Sequence, residues 1–353
     1  MHIYSLMANK IIAEDIAEIA LELDLDSLRG KKVLIAGAGG FLPAYMVETL
    51  LYINKSQNIN CKLIALVRNS VKAAERFAQY ANRSDLTLIQ CDVSAPLIHL
   101  PRADIIIHAA SPASPKYFGH DPVGVMHANL FGMNNLLDRA RLWKSENFLF
   151  FSSGEVYGQV PSSAPPIKEK DYGYIDILNV RSCYAESKRA AETLGVSYWK
   201  QHGVPCKIVR PFHTYGPGMA LDDGRVFADF VADVVNHRDI TLKSDGSAIR
   251  AFCYLSDAVR GFFEVLLNGQ SGIAYNVANP KGVLSVLELA QLLVGMRQDL
   301  RVEHIGSHAD SNYLQSPITR NIPDIELISS LGWIPRYLPQ EGFSRTLRSF
   351  MEV

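Results

Sequence analysis

Lys32-Val33-Leu34-Ile35-Ala36-Gly37-Ala38-Gly39-Gly40-Phe41-Leu42-Pro43 is the stretch that decides the fold. Lys32 to Ala36 is a short apolar run and reads as a strand. It enters a glycine-rich turn at once, and a helix is expected from about Ala44 to Ile53. Strand, glycine turn and helix in that order are the context a dinucleotide site requires. Gly37 permits the tight turn. Gly40 lets the backbone approach a pyrophosphate at the positive end of the helix. Phe41 and Leu42, at the turn's exit, join the candidate cofactor-binding residues. Pro43 stands where a third glycine is usual; proline is tolerated in a first helical turn, where its missing N–H costs little. A glycine turn with no ligand is the plain alternative.

Outward from this unit, strands and helices alternate. Lys62 to Val67 reads as a second strand. The acid expected at its exit would bind the adenosine ribose hydroxyls of NAD; this chain has Arg68 instead. A guanidinium there can pair with a 2′-phosphate or stack on adenine, so NAD is kept as the expected cofactor with NADP as the alternative. Leu86 to Gln90 is a third strand, followed by Asp92 and Val93 as an adenine contact. Asp104 to His108 is a fourth, ending in the stiff loop Ala109-Ala110-Ser111-Pro112-Ala113-Ser114-Pro115. Val123 to Leu142 is a long helix that contains Asn129, a further cofactor candidate. Phe148 to Phe151 is a fifth strand, and Cys206 to Val209 a sixth that leads into Pro211. The alternation predicts an α/β fold with a doubly wound parallel (Rossmann) sheet.

After residue 211 the rhythm changes. A helix is expected up to Asn236, with strands at Ile240 to Leu242, Arg250 to Leu255 and Ala274 to Val277. Ser256 or Asp257 is expected to cap a helix, and Ser285 to Arg297 reads as an amphipathic one. These segments suggest a smaller α+β substrate domain over 211–251 and 279–353, with the dinucleotide domain over 31–210 and 252–278. Residues 1–30 form an extension, in which 10–28 read as a docking helix with Ile12, Ile16, Ile19 and Leu23 on one stripe.

Bulk properties exclude several classes. The 353 residues are too many for one typical core. Lys and Arg number 35 against 36 acids, so no charge excess points to nucleic acid. Five scattered cysteines without a pairing pattern read as reduced thiols in a cytoplasmic protein. No apolar run approaches a membrane span. The histidines show no metal-ligand spacing, so no metal is expected.

One further motif carries chemistry. In Arg181-Ser182-Cys183-Tyr184-Ala185-Glu186-Ser187-Lys188, positions four apart share a helix face. A phenol is a poor base at neutral pH, and a nearby ammonium favours its ionised form. Such a pair can take a proton from an alcohol as its hydride leaves, although an isolated Tyr-x-x-x-Lys is more often a solvated helix face.

Gly37-x-x-Gly40, Ser152-Ser153, Tyr184-x-x-x-Lys188 and Leu331-Gly332-Trp333 together resemble the extended short-chain dehydrogenase/reductases that act on nucleotide sugars. The resemblance covers about residues 31 to 350. Within that family the likeness is to the UDP-glucuronate decarboxylases. It is carried by Ala110 to Pro115, Ser153 to Gly158, Asp222-Asp223-Gly224-Arg225-Val226 and Arg250-Ala251-Phe252-Cys253-Tyr254. Four positions depart from that pattern: Gly154 replaces a serine, His213 an asparagine, Gly218 an arginine and Arg68 an aspartate.

The resemblance implies that Tyr184 is the base at the sugar 4-hydroxyl, that Lys188 lowers its pKa, and that Ser153 holds the 4-oxygen. It implies a homodimer paired through the helices at about 123–142 and 184–200. Arg225 and Arg250 are candidates for the substrate diphosphate, and Ser114 and His213 for the pocket lining. Glu155 orients the substrate or a water, or is a structural carboxylate. Decarboxylation is the favoured reaction, with 4-epimerisation next. Dehydration is disfavoured because Gly154 cannot donate a proton. A dinucleotide-binding protein without catalysis is kept as a separate class.

Overall fold

The computed structural model describes residues 9–161, 163–297, 299–304 and 318–351. Seven parallel strands form the large sheet: β1 (Lys32–Ala36), β2 (Lys62–Val67), β3 (Leu86–Gln90), β4 (Ile105–His108), β5 (Asn147–Phe151), β6 (Cys206–Pro211) and β10 (Ala274–Val277). Their order is β10-β6-β5-β4-β1-β2-β3. The order reverses between β1 and β4, and the crevice beyond the carboxyl ends at such a switch point is where open α/β sheets bind ligands.

Apart from the edge strand β3, whose residues are half-buried or exposed, the sheet is buried on both faces, so its strands are largely apolar runs. Successive side chains point to opposite faces. Val33 and Ile35 join the core under α2 (Phe41–Gln57) and α8 (Leu255–Asn268). Leu34 and Ala36 join the other core, under α5 (Pro122–Trp143) and α6 (Cys183–His202).

The smaller domain is built on β9 (Ile249–Tyr254), which pairs with β7 (His213–Tyr215) and β13 (Arg320–Asn321) in parallel and with β11 (Val283–Ser285) antiparallel. A second pair joins β8 (Ile240–Leu242) to β12 (Val302–His304). The helices α7 (Val226–Val235), α9 (Val286–Val294) and α11 (Pro339–Met351) close this domain around Phe227, Phe252 and Phe343. Three short helices, α3 (Ser70–Arg76), α4 (Lys116–His120) and α10 (Glu326–Ser329), complete the set.

Several expectations are corrected. The N-terminal helix α1 spans Lys10–Ala20, not 10–28. The Asp24 carboxylate accepts the Asp26 N–H at 3.1 Å and the Ser27 hydroxyl at 2.6 Å, a local turn that competes with helix. Ser256 and Asp257 lie inside the first turn of α8 rather than capping it. Asp257 instead accepts the N–H groups of Arg336 and Tyr337, both at 2.8 Å, and so ties the C-terminal segment down. The helix after the glycine turn begins at Phe41, three residues before the expected start, with Gly40 as its N-cap. β9 belongs wholly to the small sheet, so the chain returns to the large domain after Tyr254 and not at 252.

Helix α1 spans the seam between the domains, against α2 and α8 on one side and α11 on the other. Its Asp15 is fully buried and accepts from the Tyr254 hydroxyl at 2.8 Å and from Arg345 at 2.7 Å. Burial pushes the Asp15 carboxyl up to about 7, against the pull of Arg345.

Candidate active site

A cleft of about 700 Å³ runs along the carboxyl ends of the large sheet and into the small domain. Gly37, at φ 82°, forms its floor; a Cβ there would lie 2.7 Å from the Ala110 Cα. That close approach presses the glycine turn onto the loop after β4. At Gly40 a Cβ would meet Gly37 O at 3.1 Å and the Pro43 ring at 3.2 Å, so this glycine packs within its own turn. The glycine open to the cleft is Gly39, where a Cβ would meet nothing closer than Val67 at 3.9 Å. Gly37, Gly39 and Gly40 all line the cleft. Helix α2 starts here without a side-chain cap, leaving first-turn N–H groups for an anion.

Phe41, Leu42, Arg68, Asp92, Val93, Ala110, Ser111 and Pro211 line the same cleft. Asn129 stands apart: it is buried between α5 and α6, donates to Ser187 Oγ at 2.9 Å, and does not line the cleft. Ser187 in turn bonds the Tyr184 carbonyl at 3.0 Å, so Asn129 braces the base helix from behind.

Tyr184 lies in the first turn of α6, 8% exposed, with its ring stacked on Phe118 at 5.0 Å and 17°. Lys188 lies one turn on and is 2% exposed. Its Nζ donates to the Phe151 carbonyl at the end of β5 (2.6 Å) and lies 5.6 Å from the Tyr184 ring centre. The i, i+4 spacing thus delivers the geometry it predicts.

The electrostatics differ from the expectation. Burial pushes the Tyr184 phenol up to about 12, opposed by its hydrogen bond with Ser153 and by the charge of Arg225. Burial also pushes Lys188 down to about 7. Desolvation is the largest cause for both, with Glu192 the charge that opposes it at Lys188.

Ser153 caps the turn Gly154–Tyr157, its hydroxyl accepting the Glu155 N–H at 3.1 Å. Glu155 is paired with Arg181 at 3.1 Å, and the Arg181 guanidinium lies 5.7 Å over the Phe118 ring. Sequence reasoning did not assign Arg181; three positions before Tyr184, it had no motif of its own. The space beside Gly154 is taken by Phe212, whose ring would lie 3.1 Å from a Cβ there.

On the small-domain side, Ser114 donates from its hydroxyl to the Asp223 carbonyl, a bond across the cleft mouth between the two domains. Arg225 precedes α7, pairs with Asp223 and lies 5.3 Å over Phe227. Arg250 lines the cleft while donating to the carbonyls of Ile318 (2.7 Å) and Ile249 (2.9 Å). His213 packs edge-on against Phe252 at 5.9 Å. Burial, with the charges of Arg250 and Arg225, holds its imidazole well below the usual range, so it is neutral.

The cleft is electropositive. Seven Lys and Arg side chains line it (Arg68, Lys72, Arg76, Arg181, Lys188, Arg225 and Arg250) against three acids (Asp92, Glu155 and Asp223), which suits a polyanionic ligand. Among the described residues no group of three or more His, Cys, Asp or Glu is placed to hold a metal ion. Among the described residues no helix is long and apolar enough to cross a membrane.

Comparison with known proteins agrees with this layout. UDP-glucuronic acid decarboxylase 6 of Arabidopsis thaliana is 31% identical over 312 residues, covering 88% of this chain and 86% of that protein. UDP-glucuronic acid decarboxylase 1 of Xenopus tropicalis is 30% identical over 325 residues, covering 91% and 72%. Among solved structures, the UDP-glucose 4-epimerase of Thermotoga maritima superposes with a TM-score of 0.77 at 20% identity, over 91% of this chain and 99% of that one. The UDP-glucuronic acid 4-epimerase of Bacillus cereus, solved with UDP-glucuronic acid and NAD, gives 0.75 at 20% identity over the same shares. These likenesses show a shared fold. The model of the NAD dependent epimerase/dehydratase family matches residues 33–278, and with relatives above 30% identity over most of its length the chain belongs to that family.

Proposed function

We propose that the chain modifies a nucleotide sugar through a 4-keto intermediate, and that its reaction is decarboxylation of a UDP-glucuronate-like substrate. The observation that carries this is the placement of Tyr184, Ser153 and Lys188 on one wall of a cationic cleft. The glycine turn lies at one end of that cleft, and Arg225 and Arg250 at the other. A nicotinamide cofactor would supply reversible hydride acceptance at sugar C4, which would leave the cycle redox-neutral. Gly37, Gly39 and the start of α2 would hold its pyrophosphate, and Lys188 its ribose.

Tyr184 accepts the proton of the 4-hydroxyl as C4 becomes a ketone. Ser153 donates to the developing carbonyl oxygen and hydrogen-bonds the phenol. A buried phenol pushed up to about 12 is protonated at neutral pH in the unliganded chain, so positive charge, of the kind Arg225 already supplies, is what would lower it toward a base. With the ketone formed, the C5 carboxylate is a β-keto acid. The C5–C6 bond breaks, carbon dioxide leaves, and the electron pair delocalises into the C4 carbonyl as an enolate. A proton then adds at C5, and Tyr184 returns its proton to O4 as C4 is reduced. Arg225 and Arg250 neutralise the diphosphate, and neutral His213 lines the pocket without carrying a proton.

Simple 4-epimerisation is the second reading, favoured by Gly154: the decarboxylase-type serine is absent and Phe212 fills its place. Dehydration needs an acid and a base at this turn; Gly154 supplies neither, and Glu155 is tied to Arg181. The catalytic readings are tested by incubating the protein with UDP-, dTDP-, GDP- and CDP-sugars, uronates included, and following product mass. Loss of carbon dioxide supports decarboxylation. An unchanged mass with a new stereoisomer supports epimerisation. No turnover and no cofactor reduction with any sugar supports the non-catalytic class.

Homodimerisation belongs to the same reading. Val123, Met126, Phe131 and Leu142 are exposed along α5, which packs on α6 and leaves an apolar stripe for a second copy.

A further inference from the structure

The exit of β2 carries more positive charge than Arg68 alone. Lys72 and Arg76 follow on α3, four residues apart and therefore on one face. All three line the cleft beside the glycine turn. Asn69 fixes the start of α3 by accepting the Lys72 N–H at 2.9 Å. Arg76 Nη1 donates to the Gly39 carbonyl at 3.2 Å, which pins α3 to the glycine that faces the cleft.

The Arg76 guanidinium is otherwise unsatisfied. Its Nε and Nη2 are buried with no hydrogen-bond partner among the described residues. Glu48 behind it attracts it through space without a hydrogen bond, while the Tyr80 hydroxyl and, at 3.4 Å, Gln79 donate to one oxygen of the Glu48 carboxylate. Among the described residues the acid at this end of the cleft is Asp92, which takes the backbone N–H and hydroxyl of Ser94 on one oxygen at 2.9 and 2.7 Å and is also held down by the charge of Arg68.

In this architecture the adenosine ribose lies at the exit of the second strand, where an acid binds the 2′-hydroxyl and repels a 2′-phosphate. Here that acid is absent, two exposed cations surround the position, and a buried guanidinium with unused donors backs it. A phosphate monoester carries nearly two charges and three acceptor oxygens at neutral pH. A ribose hydroxyl can accept a hydrogen bond but brings no charge to these cations.

We infer that Arg68, Lys72 and Arg76 form a 2′-phosphate site and that the chain prefers NADP to NAD. The inference rests on the dinucleotide cleft of the proposed function and is independent of which sugar is converted. It revises the sequence-based preference for NAD, which assumed that Arg68 stacks on adenine alone.

The test uses the purified full chain, freed of nucleotide carried through purification, titrated with NADP and NAD by calorimetry without sugar. Charge-assisted bonds of this kind predict that NADP binds about ten-fold or more tightly than NAD. The advantage should shrink with added salt, because Arg68 and Lys72 are exposed. The Arg68→Gln/Lys72→Gln double variant changes only exposed side chains. It should bring the two affinities within about three-fold, mostly by weakening NADP. Arg76→Gln, checked for folding by thermal melting, should also weaken NADP selectively.

Wild-type protein binding NAD as tightly as NADP, or a double variant that keeps the wild-type ratio, would overturn the inference and leave the sugar chemistry standing. Binding of neither nucleotide would overturn both the inference and the dinucleotide reading.

Discussion

Tyr184→Phe separates the chemistry from the fold with little collateral change. The ring is 8% exposed and stacks on Phe118 at 5.0 Å, contacts that phenylalanine keeps. The variant loses the hydroxyl and its hydrogen bond with Ser153, worth about 0.5–1.5 kcal/mol of stability. A protein of this size then melts only a few degrees lower. Catalysis loses its proton acceptor, which contributes on the order of 10²–10⁴-fold in rate, or about 3–5 kcal/mol of barrier. Lys188 keeps its bond to the Phe151 carbonyl, so dinucleotide affinity should stay within about three-fold of wild type. The assay pairs product formation by mass, under saturating substrate, with a cofactor titration and a melt on the same preparation. Retention of more than about a tenth of wild-type turnover would refute the assignment of Tyr184 as base. Loss of turnover together with cofactor binding would show that the hydroxyl is structural.

Three further outcomes are expected. Gly37→Ala places a Cβ 2.7 Å from the Ala110 backbone at φ 82°, strain of roughly 1–2 kcal/mol before any clash, and should lower the melting temperature and abolish dinucleotide binding in a calorimetric titration. The Asp15 carboxyl is raised from 3.8 to about 7 in the folded chain, so its contribution to stability is full below about 4 and is lost as pH rises through 7; Asp15→Asn should flatten that fall in chemical denaturation between pH 4 and 8, leaving a residual in which the raised Glu48 is opposed by the depressed His108 and His213. Sedimentation at micromolar concentration should give a dimer, and Phe131→Glu on α5 a monomer with its fold intact; a monomeric wild type would refute the pairing.

How much of this could be read from the sequence follows from where each signal resides. Most of the large sheet is legible because its strands are buried on both faces, so Lys32–Ala36 and Ala274–Val277 end where the apolar runs end. The small sheet is not, because β7, β11 and β13 are three, three and two residues long, too short to show a period. The N-terminal helix was overrun because its stripe seemed to continue through Leu23, while the Asp24 side chain had already turned the backbone out of helix. Arg76 and Arg181 escaped for a different reason. Neither belongs to a motif, and each gains its role only when the fold brings α3 to the glycine turn or the segment before α6 to Glu155.

The Tyr184–Lys188 pair marks the limit of spacing as an argument. Four residues on a helix guarantee a shared face, and the structure has that face. Spacing says nothing about solvent, and solvent sets the charge states. Both groups lie against β5 and Phe118, where burial pushes the phenol up to about 12 and the ammonium down to about 7. In such a site the protonated phenol and a lysine near half-protonation at neutral pH form a reserve in which a single new charge moves both. An anionic group beside the phenol would push it further up, as Glu155 does, whereas a positive charge pulls it down, the direction in which Arg225 already acts. Under the proposed reaction an oxidised nicotinamide would bring such a charge, so the strength of the base would depend on the cofactor being bound.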